Sequence, residues 1–246
     1  MLESTYELLN LRKNLRQLLE KGRQLLAYIQ NLTGYAPTEP DLQPAAFDAF
    51  LNSVAAANAQ VDAAITSLRT ARAERAELYE GADGLGKRAS QIRDYLASLP
   101  EGKKSSAFKQ VQRLVQQITA SPARKKQTPE PGSKAPKEVS QFEVSFGSRL
   151  AKARQIEQVI LATPNYTPSN TAITAAGFDA LLDQIELKNA EVSAKVAIAG
   201  QKVDNRLALY KGPNGLLNRA MRIKAAIAAQ FGRQSQAYKD AVRIKF

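Results

Sequence analysis

Apolar side chains recur along this chain at helical spacing. Leu8, Leu11, Leu15, Leu18, Gly22, Leu25, Ile29 and Leu32 alternate three and four apart. Such a heptad seam predicts a long helix, A, packed on its neighbours at a shallow left-handed crossing. The prolines of Tyr35-Ala36-Pro37-Thr38-Glu39-Pro40 end it. From about Ala45 to Tyr79 a second inward set, Phe47, Leu51, Val54, Asn58, Val61, Ile65 and Leu68, predicts a longer helix B. At 1.5 Å per residue this helix is roughly 50 Å long. Two short helices, C and D, come next, separated by Pro100-Glu101-Gly102. Gly81 is expected to end B as a left-handed cap, and Ser105 or Ser106 to open D.

The whole pattern then returns. Tyr35 and Pro37 recur 131 positions later as Tyr166 and Pro168, Phe47-Asp48-Ala49 as Phe178-Asp179-Ala180, and Leu78-Tyr79 as Leu209-Tyr210. Gly81, Gly84 and Ile92 recur as Gly212, Gly215 and Ile223. After one deletion the register continues, with Ala107-Phe108-Lys109 matching Ala237-Tyr238-Lys239 and Arg113 matching Arg243. The second helix A runs through Val139, Phe142 and Phe146. The second B set is Phe178, Leu182, Ile185, Asn189, Val192, Val196 and Ala199, and Ser235 is the expected cap of the second D. A register kept over this length is a duplication. The expected fold is all-α, two tandem copies of an elongated antiparallel helical bundle, residues 1–120 and 137–246. The segment 121–136 between them is basic, rich in proline and nearly devoid of apolar residues, which predicts a solvated tether.

Composition narrows the chemistry. The chain has no Cys and no His, so disulfides, thiolate nucleophiles, Cys-ligated metals and imidazole bases are excluded. No acid, base and nucleophile are spaced as a catalytic set, and no catalytic residue, metal ligand or cofactor is expected. Asp48 and Asp179 sit near the starts of the two B helices, where an acid meets the helix dipole favourably. Gly81-Ala82-Asp83-Gly84-Leu85-Gly86-Lys87-Arg88 has the look of a phosphate cradle. Its copy, Gly212-Pro213-Asn214-Gly215-Leu216-Leu217-Asn218-Arg219, drops the third Gly and the Lys, and neither is followed by Gly-Lys-Ser or Gly-Lys-Thr, so a helix-helix turn is the reading. No run of about 18 apolar residues occurs and the first residues lack a secretory pattern, which points to a cytoplasmic protein without integral membrane association.

Charge is the most informative remaining signal. The chain carries 35 bases and 23 acids, a net +12. Residues 87–118 are net +5 and residues 217–246 net +6, so the two C-D hairpins hold nearly all of the excess. The candidate polyanion-binding residues are Lys87, Arg88, Lys103, Lys104, Arg113, Arg219, Arg222, Lys239 and Arg243, accompanied by the rings of Tyr95, Phe108, Phe231 and Tyr238. The plainer alternative makes the rings core and the bases a solvated face. Two polar pairs also fall on the inward stripes. Asn58 and Asn189 are expected to make register-setting hydrogen bonds within the bundle. Arg75 and Arg206, one turn before Tyr79 and Tyr210, are expected to stack on rings at a bundle end, with anion binding as the alternative.

Tyr210-Lys211-Gly212-Pro213-Asn214-Gly215-Leu216, Phe231-Gly232-Arg233 with the residues to Lys239, and the closing Ile244-Lys245-Phe246 resemble uncharacterised small bacterial helical proteins with tandem repeats. The resemblance covers mainly the second copy and implies a bacterial source, but no activity, substrate or site. Together these features predict a non-catalytic binding or scaffolding protein whose basic hairpins meet nucleic acid or another polyanion. The alternative is a purely structural protein that associates with itself or with protein partners.

Overall fold

The structure, a computed structural model, describes residues 2–119 and 141–246, with side chains from residues 14–119 and 146–246. The expected tether and the seam positions Leu8, Leu11, Val139 and Phe142 lie outside the described side chains. Among the described residues the chain is all-helical, without strands. The helices are α1 (Leu2–Gln30), α2 (Pro44–Glu80), α3 (Leu85–Ser98), α4 (Ser106–Thr119), α5 (Gln141–Leu161), α6 (Ala175–Lys211), α7 (Leu216–Phe231) and α8 (Gln236–Arg243). Short 3-10 turns precede α2, α4 and α6.

The compact units do not follow the two repeats. Unit 1 comprises residues 1–66 and 197–246, and unit 2 comprises residues 67–196. This differs from the expected division at the tether, and the cause lies in the long helices. Each of α2 and α6 has 37 residues, or roughly 55 Å of helix, too long for one small bundle to cover. Each therefore gives its first part to one unit and its last part to the other. Unit 1 combines α1 and the start of α2 from the first repeat with the end of α6, α7 and α8 from the second. Unit 2 combines the end of α2, α3 and α4 with α5 and the start of α6. Every unit is thus built from both repeats.

The cores have matching layouts. In unit 1, Leu25 and Ile29 of α1, Phe47 and Leu51 of α2, and Leu216 and Ile223 of α7 are fully or almost fully buried in one cluster. In unit 2 the counterparts Ile156, Ile160, Phe178, Leu182, Leu85 and Ile92 form another. Val196, expected on the inward stripe of B, is 37 % exposed. The buried positions of α6 in that region are Val192, Ala199 and Arg206, spaced by seven, so the covered stripe is narrow there and Val196 falls beside it.

Two glycine expectations also resolve. Gly102 and Gly232, at the breaks between C and D, have φ of 55° and 87°, the left-handed region that favours glycine. Gly81 and Gly212 are not left-handed, contrary to expectation. They are required by close approach, because a Cβ there would stand 2.6 Å from the Glu77 carbonyl oxygen and 2.5 Å from that of Ala208. Ser105 and Ser235 cap α4 and α8, their hydroxyls accepting from the backbone N–H of Phe108 at 3.1 Å and of Tyr238 at 3.2 Å.

The units differ by one methyl group at a tight crossing. Gly22 of α1 corresponds to Ala153 of α5. A Cβ on Gly22 would lie 2.7 Å from Leu51 Cδ2 and 3.1 Å from Leu216 Cδ1, both on buried side chains. Gly22→Ala is expected to destabilise the protein by about 1–3 kcal/mol through overpacking, although alanine is the better helix former. Ala153→Gly should also destabilise, by about 1 kcal/mol through helix propensity. Urea denaturation of the two variants checks this, and a stabilised Gly22→Ala would contradict the packing described.

Candidate functional site

Two related polar clusters sit where the long helices meet the cores. In unit 2 the Tyr79 ring is fully buried and tilted against Phe146, with ring centroids 4.5 Å apart. Its hydroxyl donates to the Phe146 carbonyl at 2.9 Å and accepts from Asn189 Nδ2 at 3.0 Å. Arg75, 3 % exposed, lies over the Phe146 ring at 4.2 Å, and Arg149 lies 5.0 Å from the Tyr79 ring. In unit 1 the equivalent Tyr210 hydroxyl accepts from Asn58 Nδ2 at 2.9 Å, with Arg206 buried on the same helix one turn earlier. The hydrogen bonds expected of Asn58 and Asn189 are present. Each joins one repeat to the other, since Asn58 and Tyr79 belong to the first and Tyr210 and Asn189 to the second.

The electrostatics of these clusters are those of a framework. Burial pushes the Tyr79 and Tyr210 hydroxyls above their usual range, while the asparagine bonds and nearby arginines offset part of the rise. Both phenols are therefore neutral at ordinary pH. Tyr35 and Tyr166 also recur, their hydroxyls donating to the carbonyls of Leu42 at 3.1 Å and Ile173 at 2.6 Å, which pins the 3-10 turn ahead of each long helix. Among the described residues no group of three or more acids, His or Cys is placed to hold a metal ion.

The candidate cations fall into two groups. Arg88 donates from Nη1 to the carbonyls of Gly177 at 3.1 Å and Ala172 at 3.4 Å, and from Nε to that of Asp83 at 3.0 Å. Arg219, its equivalent, donates to the carbonyls of Asn214 at 3.0 Å and Asp41 at 3.1 Å while lying over the Phe50 ring at 4.2 Å. Arg222 forms a two-pronged pair with the Asp41 carboxylate at 2.7 and 3.1 Å. These three brace the fold internally, Arg88 at the Ala172 carbonyl and Arg219 and Arg222 at Asp41, in the turns ahead of the long helices. Lys224 is likewise engaged, donating to the Ile244 carbonyl at 2.6 Å.

Lys87, Lys103, Lys104, Arg113 and Lys239 are exposed, and none lies within 4.0 Å of an acid among the described residues. Arg243 is exposed but paired to Asp240 at 3.0 Å. Lys109 and Arg113 stand one turn apart on the solvent side of α4, whose other side buries Phe108, Val111, Leu114, Val115 and Ile118. Of the accompanying rings, Phe108 is buried, Tyr95 packs edge-on to Tyr166 with centroids 5.2 Å apart, and Phe231 and Tyr238 pack against the unit 1 core.

An acidic hub escapes the sequence reading. Arg154 bonds Asp179 at 2.6 Å, Asp183 at 2.5 Å, Glu157 at 3.2 Å and Glu186 at 3.4 Å. Asp183 first, then Asp179 and Glu157, hold its guanidinium more firmly protonated than usual. The signal available was the run of acids at 179, 183 and 186 on one face of the second B helix. The first repeat has Asn52 and Ala55 at the latter two positions. No helix among the described residues is long and apolar enough to cross a membrane. No family model, curated protein or solved structure matches the chain.

Tyr79→Phe removes the bond to the Phe146 carbonyl and leaves the Asn189 amide without its phenol partner, and should destabilise by about 1–3 kcal/mol. Tyr210→Phe strands the Asn58 amide and should be milder; denaturant midpoints compare them. Alkaline pH offers a second check. Burial raises the Tyr35 hydroxyl from 10.0 to about 12, so its contribution is complete below pH 10 and is lost as pH climbs through 12. Stability measured from pH 9 to 12 should fall less steeply in Tyr35→Phe than in the parent.

Proposed function

We propose that the protein is a non-catalytic helical binding or scaffolding protein that contacts an anionic partner, nucleic acid or another polyanion, through its basic hairpins. The observation that carries this reading is the α4 hairpin of unit 2. Lys103, Lys104, Lys109 and Arg113 are exposed there on a surface whose opposite side is core, with no acid within 4.0 Å among the described residues. Acids of the same unit are gathered around Arg154 and Lys188, so the cations of α4 and its preceding turn remain available. In unit 1, Lys239 on α8 supplies the corresponding exposed charge. The contacts expected are phosphate-like and independent of base sequence, since the nearby rings are committed to packing.

Fluorescence anisotropy with labelled duplex DNA, single-stranded DNA and RNA across a salt series tests this. Binding should weaken steeply with salt. Neutralising Lys103, Lys104, Lys109 and Arg113 to Gln should reduce the salt slope by about one per lost phosphate contact and leave the melting temperature unchanged. Arg88→Ala should do the reverse, lowering stability by about 1–3 kcal/mol as its carbonyl partners lose their donor. Absence of binding at low salt to all three probes would overturn the reading.

A further inference from the structure

Helix α7 is apolar on two sides. Leu216, Ala220, Ile223 and Ile227 are buried in the unit 1 core. Met221, Ala225 and Ala229, four apart, form a second stripe, and all three are exposed, Met221 at 63 %. Together with Tyr238 and Val242 of α8, the latter 43 % exposed, they line an open groove of about 530 Å³ within unit 1. The duplication supplies a comparison for this surface. At the equivalent positions of α3 and α4 in unit 2 stand Ser90, Asp94, Ser98 and Gln112. One face of the hairpin is thus polar in unit 2 and apolar in unit 1, so closing the bundle does not by itself call for Met221 and Val242 there. A helix that is apolar on two sides needs cover on both, and an exposed apolar surface edged by charge marks a partner contact. The charged side chains lining the groove are Lys224 and Arg233, both basic. Lys224 already donates to the Ile244 carbonyl, whereas Arg233 is exposed and makes no ion pair among the described residues. Residues 217–246 are net +6, and their one acid, Asp240, is paired to Arg243. Such a surface attracts acidic partners and repels basic ones. We propose that the α7–α8 groove of unit 1 docks an acidic amphipathic helix of another protein, whose apolar side chains cover Met221 and Val242 and whose carboxylates meet Arg233. A nucleic acid brings phosphates but no aliphatic stripe, and so leaves Met221 and Val242 uncovered. The site is separate from the α4 hairpin, which belongs to unit 2.

Fluorescence anisotropy with the full chain tests this. The probe is a labelled peptide of about 15 residues with Leu three and four apart and Glu at the other positions, long enough to form a helix along the groove. It should bind. A version with Ser in place of Leu keeps the charge, a version with Lys in place of Glu keeps the apolar stripe, and each should bind about tenfold more weakly or worse. Met221→Gln combined with Val242→Gln should weaken the acidic peptide by about tenfold, because that apolar surface is no longer removed from water on binding. Arg233→Gln should weaken it by about threefold at low salt and hardly at all at high salt. The substituted side chains are exposed, so the melting temperature should match the parent's. If the double variant melts lower, the three peptides compared on the parent chain decide. Absence of binding by the acidic peptide, or equal binding by its serine version, overturns the proposal. So does labelled RNA that loses as much affinity as the peptide when Met221 and Val242 are replaced, since the groove would then be part of a polyanion surface.

Discussion

A continuous α-helix of 37 residues cannot fold back on itself, and this chain contains two of them. That constraint decides which helices can cover which core. A helix whose ends lie far apart must find cover at each end separately, and the short helices after it can cover only its last turns. The first turns of α2 are therefore covered by α1 and by α7 of the other repeat, and those of α6 by α5 and α3. Tyr79 and Tyr210, near the ends of the long helices, are the points at which this sharing is fixed. Each is fully buried, and each is bonded by an asparagine well inside the other long helix. A slip in register would break these amide-to-phenol bonds and leave the half-buried amides without their partner.

The basic residues of the hairpins fall into two groups. Arg88, Arg219 and Arg222 reach across to the bends that introduce the long helices and neutralise carbonyls and a carboxylate there. Lysines of the first hairpin, Lys87, Lys103 and Lys104, face solvent. The distinction comes from side-chain chemistry, since a planar guanidinium can donate to several carbonyls at once while an ammonium remains well hydrated as a point charge. The exposed charge of the α4 hairpin, mainly lysine, is thus separate from the framework held by arginine, and charge changes can be made on one without disturbing the other.

Much of this was legible in the sequence. The helical class, the buried first halves of the two B stripes, the serine caps and the bonded asparagines come from spacing and chemical type. The pairing of Asn58 with Tyr210 rather than Tyr79 was not legible, and duplication is the reason. The two tyrosines are chemically identical and equally placed within their repeats, so no pattern distinguishes closure within a repeat from closure across repeats. The bracing role of Arg88 did leave a trace: Arg recurs as Arg219, whereas its neighbour Lys87 is replaced by Asn218. The expectation for Gly81 fails because glycine at a helix end has two separate uses, and sequence does not say whether the backbone turns left-handed or a carbonyl comes close.

The interruption of unit 1 has a consequence for biosynthesis. Unit 2 is complete once residue 196 has been made, but α1 and the start of α2 cannot be covered until residues beyond 197 emerge. At about 5–20 residues per second the ribosome takes on the order of ten seconds over the intervening stretch. During that time the apolar faces carrying Leu25, Ile29, Phe47 and Leu51 have no native partner from the second stretch. Nascent chains on one polysome present such faces side by side, so in vivo yield depends on how well the first 66 residues are shielded while the ribosome works toward their complement.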